Sequence, residues 1–252
     1  LGAAAGLTFL APSAVAQEAA DDAVSVQETV IVIAPDYVPQ DGATANKSNI
    51  PLIETPQSVS VITRDQIDLL AFIDAQQAVR YTSGAFGENY GPDLRYDFVT
   101  VRGFTPKQYI DGLAAPVSTS IQSVGVDLYA FESFDVLKGP ASALYGSSPP
   151  GGLYNQVSRR PDQEFGGEIQ AKYGTDDYKQ IAGTVHGPLS DTLSYSLTGL
   201  YLDREAERDL VSAERTLFAP ALTWDITPDT KLTGLAYYQT DEVLGDTNGF
   251  LP

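Results

Sequence analysis

Side-chain chemistry needs convergent groups, and this sequence offers few of them. It has no cysteine, and His186 is its one histidine, so disulfides, thiolate sites and histidine-based metal centres all lack their ligands. Ser, Thr and Asp are plentiful, but His186 falls in an alternating stretch that reads as a strand, where a structural role outweighs that of a general base. G-x-x-x-x-G spacings occur without Lys-Ser/Thr after them, so no phosphate loop is expected. What remains is chemistry of the backbone. Glu28-Thr29-Val30-Ile31-Val32-Ile33-Ala34 is a β-branched run set between acidic residues and Pro35, which predicts a strand. Nothing beside it in sequence offers a hairpin partner, so its N–H and C=O groups are open to strand addition by another chain. An edge strand of the folded domain is the other reading of this run. We expect binding and gating here, with no enzyme activity, no cofactor and no resident metal.

The elements that must position such a strand follow in order. A chain of 252 residues, 43% of them hydrophobic, can bury a core in one large or two small domains. Its 33 acidic and 15 basic residues give a net charge of −18, which lacks the basic footprint of a nucleic-acid partner. Residues 1–16 are small and apolar and end in Ala14-Val15-Ala16, the pattern of a signal-peptide remnant and of an exported protein. Residues 17–49 hold the strand just described and a polar linker, 36–49, rich in Pro, Gly and Asn. A domain at 50–161 begins with a strand at 58–62 and a capping box, Thr63 with Gln66 three residues on. Ile67, Leu69, Leu70, Ile73, Ala78 and Val79 then give short helices an apolar face. A strand at 98–101 leads into Arg102-Gly103-Phe104, and Tyr109-Ile110-Asp111-Gly112 follows. Residues 131–161 close the domain as a compact knot. An apolar strand, the turn Lys138-Gly139-Pro140, one helical turn at 141–146, the turn Pro149-Pro150-Gly151-Gly152 and a strand at 153–157 come in quick succession.

After Arg160-Pro161 the pattern changes to strands of about ten residues with period-two alternation. Ile169, Ala171 and Tyr173 alternate with Glu168, Gln170 and Lys172; Ile181, Gly183 and Val185 with Gln180, Thr184 and His186; Leu193 to Tyr201 with Ser194, Ser196 and Thr198. Phe218, Pro220, Leu222 and Trp224 make a fourth run, and 232–238 a fifth, less cleanly alternating one. Short turns at 187–191 and 227–230 contrast with a long charged one at 203–215, as in a membrane barrel with short turns on one side and long loops on the other. A soluble β-sandwich shares the alternation. Five strands leave edges that lipid cannot satisfy, so the expectation is the beginning of a membrane barrel that continues past residue 252.

The residues LKGP, LYG, PGGL.N.VS and RRP of the knot, together with TPQSVSVIT, AVRYTSGA, RGF and YIDG upstream, resemble the plug domain of TonB-dependent outer-membrane receptors, above all the ferric-siderophore receptors. ETVIVIA resembles the TonB box of that family. The resemblance implies an α+β plug, a small mixed sheet with short helices, followed by the first antiparallel strands, about five of ~22, of a plugged transmembrane β-barrel. It implies a ferric siderophore as cargo, with haem, cobalamin or a glycan as alternatives within the family; a plugless porin or adhesin-type barrel would need neither the plug nor ETVIVIA. Partners would be TonB with its inner-membrane complex, the ligand and outer-membrane lipid. By alignment the ligand would meet loops at 87–93, 105–108 and 115–120, with Tyr90, Phe86, Lys107 and Gln108 as contacts. Basic residues at Arg102, within an apolar strand, and Lys138 would pair with carboxylates on the barrel wall.

Overall fold

The computed structural model describes residues 39, 44, 47–48, 50–88, 95–115, 123–206 and 211–245. The run 28–34 and Tyr90 lie outside the described residues. The first half is a small mixed sheet flanked by short helices. Strands β1 (Ser58–Thr63), β2 (Ala85–Gly87), β3 (Tyr96–Asp97), β4 (Val99–Val101), β5 (Lys107–Ile110), β6 (Leu113–Ala114), β7 (Ser123–Val124), β8 (Phe131–Lys138) and β9 (Gly152–Ser158) appear in that order. The main sheet runs β1-β8-β9-β5-β6, with β5 parallel to β9 and the other pairs antiparallel. Two small pairs, β2 with β4 and β3 with β7, stand beside it.

Local chemistry accounts for these elements. Thr63 closes the expected capping box: its hydroxyl accepts from the Gln66 N–H while the Gln66 side chain accepts from the Thr63 N–H, so two otherwise orphaned donors start the helix Arg64–Leu69. The apolar centre of the knot becomes the middle of the sheet, with Phe131, Phe134, Val136, Leu153 and Tyr154 buried and the Phe134 and Tyr154 rings stacked at 5.2 Å. Gly152 sits at φ +124°, and a Cβ there would lie 2.0 Å from the Leu137 carbonyl oxygen. Glycine is thus required where the chain turns back into β9.

The second half is one antiparallel sheet of β10 (Gly166–Tyr173), β11 (Lys179–Ser190), β12 (Leu193–Glu205), β13 (Ser212–Thr227), β14 (Thr230–Leu235) and β15 (Tyr238–Leu244). The last two both pair with β13 in one continuous register, Ala221 opposite Leu235 and Phe218 opposite Tyr238. They form a single expected fifth strand, longer than 232–238. Its ladder is interrupted opposite Pro220, which accepts from the Ala236 N–H but has no N–H to return. The long turn expected at 203–215 also contracts. Strands β12 and β13 extend through Glu205 and back to Ser212, with the ladder continuing as Asp203 opposite Glu214, Arg204 opposite Ala213 and Glu205 opposite Ser212.

The polarity of this sheet is the reverse of a soluble one. Its outer face exposes Ile169, Ile181, Leu197, Phe218, Leu222 and Leu232, with Tyr173 and Tyr201 toward the long-turn end and Trp224 and Phe165 toward the short-turn end. Its inner face turns Gln180, Thr184, Ser194, Ser196, Thr198 and Thr223 toward the first domain, where they are buried. Ala182, Leu200, Leu202 and Leu217 of that inner face share one apolar cluster with Phe72, Ala75, Leu128 and Phe131, so the mixed-sheet domain packs against the concave side of the strands.

Candidate functional site

The chain entering the domain is held by its centre. Thr44, in the stretch expected to be a free linker, is buried. Its hydroxyl donates to Asp135 Oδ2 and accepts from Asn155 Nδ2 at 2.9 Å, and its carbonyl accepts from the Tyr145 hydroxyl at 2.6 Å. The linker expectation is therefore corrected at this point: a small hydroxyl residue flanked by Gly, Ala and Asn carries no periodic signal, yet fits between two polar groups on the sheet. Asp135 and Asn155 face each other across β8 and β9. Asp135 also accepts from Ser133 Oγ at 2.8 Å, and burial pushes its carboxyl up, opposed by the hydrogen bonds from Thr44 and Ser133. Asn155 Oδ1 accepts from the Gly112 N–H at 2.8 Å. The neighbouring Asp111 accepts from the Ser158 N–H and hydroxyl at 2.9 and 2.6 Å. The motif residues Tyr109, Tyr145 and Asn155 are thus joined through Thr44 into one polar network, in which the Tyr109 hydroxyl donates to the Tyr145 carbonyl at 2.9 Å. Burial, with Asp135 next to it, pushes the Tyr145 hydroxyl up to about 12. The Lys47 ammonium rests 4.4 Å above the Tyr145 ring.

A second set of contacts ties the domain to the strand sheet. Arg215 of β13 reaches Asp127 at 3.3 Å and Asp241 at 2.6 Å. Gln239 of β15 donates to the Gly125 carbonyl at 2.9 Å and accepts from the Asp127 N–H at 3.2 Å. Arg159, at the exit from β9, pairs with Glu168 at 2.9 Å and lies 4.9 Å from the Tyr129 ring centre, while the Phe131 and Tyr237 rings stack at 5.6 Å. Between the two halves lies a polar cleft of about 530 Å³, lined among others by Ser158, Arg159, Glu168, Thr184, His186 and Ser196. His186 therefore faces the seam. None of Thr44, Asp135, Asp127, Arg159 and Arg215 was singled out from sequence as part of a site. Asn155 stood in a quoted motif without a role.

The residues expected from sequence are placed less simply. Phe86 lies on β2 and is 62% exposed. Lys107 and Gln108 do not form a loop: both belong to β5, where parallel pairing to Leu153 and Tyr154 of β9 draws the short segment after Phe104 into the sheet. Gln108 is fully buried and donates to Gln156 Oε1 at 3.0 Å, which corrects its assignment as a ligand contact. Arg102 is exposed and follows β4 in a turn at φ +51°, so it is not inside a strand. It lies near Lys138, whose ammonium donates to Ser83 Oγ at 3.2 Å and is shifted down first by burial and then by the Arg102 charge.

Residues 51–153 match the family model of the TonB-dependent receptor plug domain. The chain belongs to the TonB-dependent receptors. It is 38% identical over 229 residues to the ferrioxamine B receptor of Salmonella typhimurium (strain SL1344), an alignment that covers 88% of this chain and 32% of that one. It is 33% identical to the ferrichrome outer membrane transporter/phage receptor of Escherichia coli (strain K12), covering 99% of this chain and 35% of the relative. The ferripyoverdine receptor of the outer membrane of Pseudomonas aeruginosa, solved bound to ferripyoverdine, superposes with a TM-score of 0.73 at 27% identity, over 81% of this chain and 28% of that one. The chain thus spans about a third of the length of the curated relatives it matches. In the plug receptor's terms, the mixed sheet is the plug and β10 to β15 are wall strands of the barrel.

Proposed function

We propose that this chain supplies the plug and leading wall strands of an outer-membrane receptor that imports ferric siderophores into the periplasm with energy delivered through TonB. The observation that carries the reading is the inverted polarity of the wall: apolar side chains face away from the plug and hydroxyls and amides face it, an arrangement suited to lipid outside and a wet bore inside. The cargo follows the relatives, whose names specify ferrioxamine B, ferrichrome and ferripyoverdine. Such chelates hold their iron fully, so recognition falls to aromatic faces and a few donors rather than to metal ligands. Phe86, Tyr90 and Lys107 are the contacts we propose.

TonB adds a strand to residues 28–34 and pulls. The test uses the full-length receptor and radiolabelled ferrioxamine B or ferrichrome. Deleting 28–34 leaves ligand binding intact and abolishes uptake, and Ile31→Pro does the same because proline removes a ladder donor. Uptake equal to wild type in the deletion would remove the transporter reading.

A further inference from the structure

Among the described residues ahead of Ile50, Thr44 is the buried one, and the geometry points to what that residue does. We infer that Thr44 is the coupling point between the pulled leader and the plug: drawing it out of its seat unlocks β8 from β9 at the middle of the sheet. The inference rests on the transport reading above and adds the residue through which force enters.

Thr44 lies ten residues beyond Ala34 and thirteen residues (45–57) before β1. It is bonded to residues 91, 101 and 111 positions away, so tension that arrives at residue 44 passes straight into β8, β9 and the helical turn Ser142–Tyr145. The two side chains it joins belong to opposed residues of the central pair, with β1 outside on one flank and β5 and β6 on the other. When Thr44 leaves, Asp135 Oδ2 loses its donor, Asn155 Nδ2 its acceptor and the Tyr145 hydroxyl its carbonyl, all three in buried residues. Buried polar groups stripped of partners are costly, and a network that loses its shared member fails together. Lys47 on the Tyr145 ring and the helical turn at Leu52–Glu54 come after Thr44 and before β1 along the chain, so a pull from the leader loads Thr44 first and β1 last. A local tug is thereby converted into loss of cohesion in the plug's most buried strands.

The test again uses the full-length receptor. Thr44→Val keeps the shape and removes the hydroxyl; Thr44→Ser keeps the hydroxyl. Thr44→Val should raise amide exchange at 133–137 and 153–157 at least tenfold and let cells admit a large antibiotic without TonB, while Thr44→Ser changes neither. In an Asp135→Asn background, Thr44→Val should change exchange by less than it does in the wild type, because the buried carboxylate that needed the hydroxyl is gone and only Asn155 Nδ2 still loses a partner. Single-molecule pulling of the wild-type receptor by a handle at residue 28 should give its first rupture at a leader length ending at residue 44. Unchanged exchange in Thr44→Val, or a first rupture at β1, overturns the inference. Either result leaves the transport reading standing if deletion of 28–34 still abolishes uptake; if the deletion does not, the transport reading falls and the inference falls with it.

Discussion

Asn155 spends one amide on two distant segments, accepting from Gly112 and donating to Thr44; at the residue scale this economy makes the plug sensitive to single atoms. Arg215 is the matching case at the seam. It is buried between Asp127 and Asp241, and taking away one member of a buried ion pair strands the other. Arg215→Ala should cost about 3–5 kcal/mol, read as faster amide exchange around Asp127 in the full-length receptor. Asp127→Asn, which keeps a hydrogen-bonding group, should cost much less. The buried plug carboxyls predict a pH response. Burial raises Asp135 above 3.8 despite its two hydrogen bonds, and burial with the nearby Asp74 charge raises Asp97 further. A group that binds its proton more tightly folded than unfolded adds stability as pH falls through its folded value, and the gain levels off below the unfolded one. Protection of the plug sheet, corrected for intrinsic exchange, should therefore rise as pH is lowered from neutrality toward the ordinary carboxylate range. Asp135→Asn should flatten that rise.

At the scale of elements, what could be read in advance depended on whether the signal was local. The capping box at Thr63, the turn glycines of the knot and the five alternating runs each announce themselves within a dozen residues, and each became the element expected. Gln108 did not. Its fate is set by parallel pairing with a strand more than forty residues later, and a polar side chain in a short segment after Phe104 gives no hint of that. Arg102 was placed in a strand because Val99-Thr100-Val101 precedes it; its positive φ is a property of the turn, which the side chain does not signal. Thr44 was hidden for a third reason, since a lone hydroxyl in a polar stretch looks the same whether it faces water or a buried aspartate. The wall strands were legible because lipid enforces alternation on one face and the plug on the other. Leu222, exposed on the outer face of β13, should therefore tolerate charge poorly: Leu222→Arg should cost about 2–4 kcal/mol near the membrane midplane, measured by denaturant titration of the full-length receptor in lipid vesicles.

For the whole molecule, plug and wall share one apolar cluster in one region and hold polar seams elsewhere. Such a mixture fixes the plug firmly while leaving a surface that water can enter once it shifts. The bore side of β11 and β12 presents Thr184, Ser194, Ser196 and Thr198, short alcohols in place of hydrocarbon. An oily conduit would empty itself of liquid and choke, as apolar constrictions in channels do. One paved with hydroxyls floods as soon as a gap opens, which would let the proposed cargo, a bulky and well-hydrated chelate, keep its own shell on the way through.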